Sequence, residues 1–410
     1  MTEPTAVVIV GAGQAGLAVS SELTQAGVAH VVLERGRVGQ TWRGRWESFC
    51  LVTPNWFVQL PGRSYDGDDP DGFMPRDEIT RYLERYAAGF EAPVQEGVEV
   101  TTLQPGPDGG FLLETSAGEI IARTVILSTG AYQRPHRPGG AATLPADLLQ
   151  IDVEDYRNPA ELPAGPVLVV GSGQSGCQIA EELHLSGRQV FLACGRASWF
   201  PRRLGDRDLS WWALETGFLD VTVESLPDPT ARLYANVQAS GAAGGHDLHY
   251  RTLRKLGVTM VGRFLGADGR RALFAQDLAA SVAWGDERNA QLMDLVRKVV
   301  AERGMPMPDI SEPEPFDGDA PEELDLSGFG AVVFTSGFRP DYEAWVRFPG
   351  AFDEYGFPIH VDGASTVAPG LYFVGVHFLR KRKSSLLNGV GEDAAIVARE
   401  IATRQVQPAT

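Results

Sequence analysis

Two short glycine patterns, Gly11-Ala12-Gly13-Gln14-Ala15-Gly16 and Gly171-Ser172-Gly173-Gln174-Ser175-Gly176, are the residues whose types and spacing speak most directly of chemistry. Each comes after a continuous apolar run, Ala6–Val10 or Val167–Val170, and each opens a helical stretch. In such a unit the first glycine makes a tight turn, the second lets backbone approach a pyrophosphate, and the third lets helix pack closely on strand. The phosphates sit on the helix N-terminus, where unpaired N–H groups and the helix dipole favour negative charge. The chain is therefore expected to bind two dinucleotides.

The residues beyond each turn separate the two sites. Glu34 ends the strand after the first helix, where a carboxylate can accept both ribose hydroxyls. The matching position of the second unit is Cys194, with Gly195 and Arg196 immediately after it. Without the carboxylate a 2′-phosphate is not repelled, and Arg196 can bind it bidentately. The first site, with Gly11, Gly13, Gln14, Ala15, Gly16, Glu34 and Arg35, suits FAD. The second, with Gly171, Gly173, Gln174, Ser175, Gly176 and Arg196, suits NADPH.

Further elements must position these groups. The run Thr124–Gly130 reads as a buried strand returning to the sheet, placing Thr129 and Gly130 beside the first cofactor; Val332–Gly337 repeats the device for the second unit. A third strand, Gly370–Gly375, precedes a tract holding Leu387 and a final helix to about Arg404, a further dinucleotide contact. Between Gly39 and Trp56 a loop rich in aromatics and arginines is expected to cover the first cofactor, with Thr41 and Trp42 against it. Trp42, Arg43 and Asn55 are its candidates for catalysis, weighed evenly against packing alone. A helix is expected from Pro75 to Ala87 and a β-meander from about Val94 to Ile121. The fold expected is α/β, with two Rossmann-like dinucleotide-binding domains. An FAD domain of residues 1–160 and 331–410 is split by an NADPH domain of 161–330, which carries an insertion at about 197–330.

Composition bounds the rest. A chain of 410 residues, 43% hydrophobic and 22% charged, exceeds one ordinary core. A net charge of −17 argues against binding nucleic acid or an anionic membrane. No apolar run approaches spanning length and no signal sequence is evident, so a cytoplasmic location is expected. Cys50, Cys177 and Cys194 form no CxxC pair, which argues against a disulfide reductase. His246 and His249 have metal-like spacing but lack a third nearby ligand, so no metal is assigned. The basic run Arg380–Lys383 is expected to be salt-bridged locally or to lie beside a cofactor.

Taken together, the pattern resembles the two-dinucleotide flavoprotein monooxygenases, the class B group that includes flavin-containing monooxygenases and YUCCA-type enzymes. The likeness rests on both glycine patterns with Glu34 and Arg196, on Ser128-Thr129-Gly130, on Phe334-Thr-Ser-Gly337-Phe-Arg-Pro and on Leu371-Tyr-Phe-Val-Gly375. Stretches at Thr53, Gly72 and Arg380 look closest to bacterial FAD-dependent oxidoreductases of uncertain substrate. The fingerprint FxGxxxHxxx(Y/F) is met only at Tyr156, with Ala146, Leu148 and Asp152 at its other fixed positions. The resemblance implies that NADPH reduces FAD and that a C4a-peroxyflavin formed with O₂ oxygenates nitrogen, sulfur or carbonyl carbon of a small substrate. It also makes Asn55 similar in placement to an asparagine that holds oxygenated flavin in some relatives. An NADPH-dependent flavin reductase or oxidase and a flavin-binding sensor are the alternatives, and a homodimer is left open.

Overall fold

The computed structural model describes residues 5–234 and 236–406. Its first sheet has nine strands. A parallel set runs Val94–Glu96, Val31–Glu34, Thr5–Val10, Gly118–Leu127, Leu371–Phe373. The antiparallel pair Val100–Pro105 and Phe111–Thr115 leads into Gly118–Leu127, which is the expected meander. Val7, Val8 and Ile9 are fully buried because both faces of the sheet are covered: Val7 and Ile9 lie under helices, and Val8 lies against the meander residues Leu103, Phe111 and Leu113. Each such side chain contributes about 1.5–3 kcal/mol relative to exposure. One face is covered by the helix Gln14–Gln25 and the final helix Val390–Val406, which share a core through Leu17, Leu23, Val397 and Ile401. The helix Arg76–Gly89 buries Ile79, Tyr82, Leu83 and Tyr86, the stripe its periodicity marks.

The second sheet is wholly parallel, in the order Leu149–Asp152, Ala331–Phe334, Val167–Val170, Val190–Ala193, Thr259–Val261. Its register moves the expected boundaries. Leu149–Asp152 and Ala331–Phe334, placed in the first domain by cuts at 160 and 331, hydrogen-bond to each other in the second sheet. Thr259–Val261 lies inside the expected insertion, yet it is a strand of that sheet, so 197–330 is not one inserted segment. The chain crosses between the sheets at a two-stranded antiparallel ribbon, Arg134–Pro135 against Phe338–Arg339. Gln133 ties its ends: the amide nitrogen donates to the Gly130 carbonyl (2.7 Å), and the amide oxygen accepts the Asp341 N–H (2.8 Å).

The helix Leu278–Arg303 extends beyond its expected start near Asn289 and packs Met293, Val296 and Val300 against Phe200 and Trp212. The basic run Arg380–Lys383 is salt-bridged. Lys381 and Lys383 both hold Asp220 (2.8 and 3.1 Å) and both face Glu392, while Arg382 lies over the Phe218 ring. These contacts fasten the segment around Phe218–Asp220 to the first unit. No helix among the described residues is long and apolar enough to cross a membrane.

Candidate functional site

In the first turn, Gly11 has φ +103°, which favours glycine, and a Cβ there would lie 2.9 Å from the Ser128 carbonyl oxygen. A Cβ on Gly16 would lie 1.8 Å from the Gly11 oxygen, so only glycine lets the helix approach. Gly13 differs: a Cβ there would have no neighbour within 4 Å. No side chain caps the helix Gln14–Gln25, leaving its first N–H groups to an anion in front of Gly13. Glu34 is buried, and its two oxygens accept the N–H groups of Ala12 (2.8 Å) and Gly36 (2.9 Å), leaving lone pairs for ribose hydroxyls. Arg35 and Thr41 are exposed. Gln14 accepts from the Trp42 indole (3.0 Å) and donates to the Ser385 carbonyl (3.1 Å), drawing loop, helix and C-terminal tract together. Ala15 packs against Gly375, where a Cβ would lie 2.3 Å from that of Ala15, and Leu387 is buried in the same core. The turn has the open ground, free donors and ribose acceptor that a dinucleotide requires.

The second turn repeats the backbone with other chemistry. Gly171 has φ +111° and packs on Thr335, and a Cβ on Gly176 would lie 2.0 Å from the Gly171 oxygen. Gly173 begins the helix Gln174–Leu185, again without a side-chain cap; Ser175 is half-buried. Cys194 is fully buried, and desolvation drives its thiol far above the usual range. The brace here is Ser172, whose hydroxyl accepts the Gly195 N–H (2.9 Å) and lies 2.6 Å from the Tyr250 hydroxyl. Gln238 donates to the Ser172 carbonyl (2.7 Å), and Gln174 to that of Val237 (3.2 Å). Arg196 is exposed and has no ion pair among the described residues, which suits an external phosphate.

Between the turns, the three expected catalytic residues separate. Trp42 is half-buried and bonded to Gln14, on the first cofactor's side. Arg43 turns away to pair with Glu84 of the helix Arg76–Gly89, and donates to the Val38 carbonyl (3.1 Å). Asn55 is buried; its amide donates to the Asp69 carbonyl (2.8 Å) and accepts the Met74 N–H (2.7 Å), so it clamps the 69–74 loop and keeps one free N–H. These long-range partners give no signal in the local sequence.

The structure instead gathers residues that sequence reasoning passed over. Tyr132, two positions past Gly130, stacks on His377, two past Gly375, with centroids 5.3 Å apart. Tyr132 keeps 46% of its surface accessible; desolvation raises its phenol, offset by the nearby Arg45 guanidinium. Burial pulls His377 down to about 4, so the ring is neutral at pH 7, and Nε2–H donates to the Arg232 carbonyl (2.9 Å). Arg45 has a buried Nε with no partner among the described residues. Its loop is fixed from both sides, Arg157 donating to the Gly44 carbonyl (2.8 Å) and Arg76 to that of Arg45 (3.1 Å). The shared spacing after each strand-ending glycine is the signal that could have found Tyr132 and His377.

The fingerprint region has a structural explanation. Asp152 is paired bidentately with Arg137 at 2.8 Å on each oxygen, and the Tyr156 hydroxyl donates to Glu182 (2.8 Å). The three cysteines are unpaired; burial raises Cys50 to about 11 and Cys177 higher still, so thiolate chemistry is suppressed. His246 bonds Glu181 (2.8 Å), while His249 lies against Trp199 (4.7 Å).

Residues 8–212 match the family described as pyridine nucleotide-disulphide oxidoreductase. An uncharacterised CzcO-like oxidoreductase of Geobacillus kaustophilus is 32% identical over 96% of this chain and 97% of its own. The indole-3-pyruvate monooxygenase YUCCA4 of Oryza sativa is 26% identical, covering 97% of this chain and 87% of that protein. A flavin-containing monooxygenase from Stenotrophomonas maltophilia shares the fold with a TM-score of 0.68 at 18% identity, over 98% of this chain and 100% of that one. With two glycine turns, each following a strand in a parallel set, and an aligned relative along almost its whole length, the chain belongs to the pyridine nucleotide-disulphide oxidoreductase family, as an oxidoreductase akin to the flavin-dependent monooxygenases.

Proposed function

We propose that the protein is an FAD- and NADPH-dependent monooxygenase that oxygenates a small organic substrate with O₂ between its two glycine turns. One observation carries this reading: Tyr132 and His377 stack where their chains leave the C-terminal ends of two adjacent strands of the sheet that also seats the first turn, with the Arg45 guanidinium near Tyr132. That is where α/β sheets place ligands. The bound cofactors supply the redox chemistry, accepting hydride and activating O₂. Glu34 and the free donors before Gln14 hold FAD; Arg196 and the donors before Gln174 hold NADPH. The Tyr132–His377 stack offers the substrate an aromatic wall, and neutral His377 introduces no proton donor stronger than imidazole. Suppressed thiols favour oxygen over a disulfide as the electron acceptor.

The test is stoichiometry with air and a panel of amines, sulfides and ketones. Oxygenated product in step with NADPH consumed is expected. Peroxide equal to NADPH with every compound would overturn oxygen transfer and leave an NADPH oxidase, a second reading favoured by the Asp152–Arg137 pair at the fingerprint position. Asn55→Ala probes the same step. Leaving the Met74 N–H and Asp69 carbonyl unpaired costs about 1–3 kcal/mol per group. The 69–74 loop should loosen, so that flavin reduction persists while peroxide per NADPH rises. Unchanged coupling and an unchanged melting temperature would remove Asn55 from the site.

A further inference from the structure

The ribbon joining the two sheets carries an anomaly. Arg134 and Arg339 are directly opposite in its register, and like charges so placed repel. The chain has 53 acidic residues, yet neither arginine has a carboxylate partner among the described residues; Arg339 donates only to the Phe338 carbonyl next to it (2.9 Å). His136, beside them, adds a third basic group without an acidic partner among the described residues, and its backbone N–H is held by the Gly337 carbonyl (2.9 Å). Desolvation and the proximity of Arg134 lower Arg339, and desolvation with both arginines lowers His136. Neighbouring arginines show the contrast: Arg137 has Asp152, and Arg232 has Asp353.

The position of the ribbon identifies what this charge faces. Its second strand leaves Thr335-Ser336-Gly337, and a Cβ on Gly171 would lie 2.7 Å from the Thr335 carbonyl carbon. The Ser336 hydroxyl also donates to the Val170 carbonyl (3.0 Å), so this strand starts on the second glycine turn itself. Arg339 stands three residues past Ser336, at most about 10 Å along the chain, and the bend at Ser336–Gly337 shortens that span, which its long side chain can bridge. The uncapped helix Gln174–Leu185 opens at the same turn.

We propose that Arg134 and Arg339 together clasp the pyrophosphate of the dinucleotide bound at the second glycine turn, making the inter-sheet ribbon part of the coenzyme site. The proposal rests on the reading of that turn as the NADPH seat. The clasp works on a group common to both nicotinamide coenzymes, whereas Arg196 reads only the 2′-phosphate. Two guanidiniums opposed across a ribbon suit oxygens on adjacent phosphorus atoms, and binding relieves their mutual repulsion.

The experiment is equilibrium titration of the flavin-loaded protein with NADP⁺ and NAD⁺, without turnover, for wild type, Arg134→Gln, Arg339→Gln and Arg196→Ala. Both ribbon variants should weaken both coenzymes about tenfold or more, the range for a lost charge-assisted contact. Arg196→Ala should weaken NADP⁺ alone. Coenzyme-free Arg134→Gln should melt no lower than wild type, since it removes a repulsion; a lower melting temperature would mark the pair as structural and overturn the clasp. Affinities within twofold of wild type for both coenzymes would overturn it as well, as would a loss confined to NADP⁺. Wild type that binds neither coenzyme sinks the reading of the second turn. Tight coenzyme binding without oxygen transfer sinks only the proposed activity.

Discussion

The two glycine turns have one skeleton and opposite chemistry at the strand end. In the first, Glu34 braces the turn with a charged acceptor that takes two backbone N–H groups. In the second the same place holds buried Cys194, and bracing passes to Ser172, Tyr250 and Gln238, all neutral. A carboxylate both braces and selects, because its charge repels a phosphate on the ribose. A hydroxyl network only braces, so in the proposed reading selection passes outward to exposed Arg196. The teaching of the pair is that rigidity and charge preference, merged in one residue at the first site, are divided among four at the second.

The comparison is broken most severely at Gly13. Gly13→Val puts its side chain into the open ground before the first helix. The apoprotein should fold, with an unchanged circular dichroism spectrum, yet carry essentially no flavin. Gly16→Ala, whose Cβ meets the Gly11 oxygen, should instead lose the fold. Flavin at normal content in purified Gly13→Val would mean that the first turn does not hold it. Next in size, Arg196→Ala should raise the NADPH dissociation constant roughly ten- to hundredfold, equal to about 1.5–3 kcal/mol, and leave NADH nearly unaffected. Equal losses for both would erase the division of labour between brace and selector.

The smallest expected effect concerns the second helix alone. Glu181 raises His246 above its usual range through their hydrogen bond. A raised folded-state value stabilises fully below the unfolded value of about 6.5 and is lost as pH rises through the folded value. Wild type should therefore melt slightly above Glu181→Gln near about pH 6, the two converging at higher pH. A gap that widens with pH would contradict the assignment.

What the sequence made legible was local. Apolar runs, glycine spacing and the stripe of the helix Arg76–Gly89 each express a period of a few residues, so strands, turns and helices could be read directly. The place of Glu34 at a strand end beside the first turn was legible because it follows from distance along the chain. The Ser172 brace was not, since Tyr250 and Gln238 arrive from more than sixty residues away. Nor were the partners of Arg43 and Asn55, which a loop without a period conceals. The boundaries at 160 and 331 missed because strand pairing, not composition, assigns Leu149–Asp152 and Ala331–Phe334 to the second sheet.

The order of strands also bears on biosynthesis. Leu371 pairs with Val125, and Ala331 with Leu149 and Val167, so every strand of the second sheet emerges from the ribosome before the first sheet can be completed. At about 5–20 residues per second, the strand Gly118–Leu127 waits roughly 10–50 s for its neighbour. Throughout that interval its Val125–Leu127 end lacks the Leu371–Phe373 partner and presents a short unpaired edge, a feature that invites wrong pairing. Synthesis thus delivers a finished second sheet attached to an open first one.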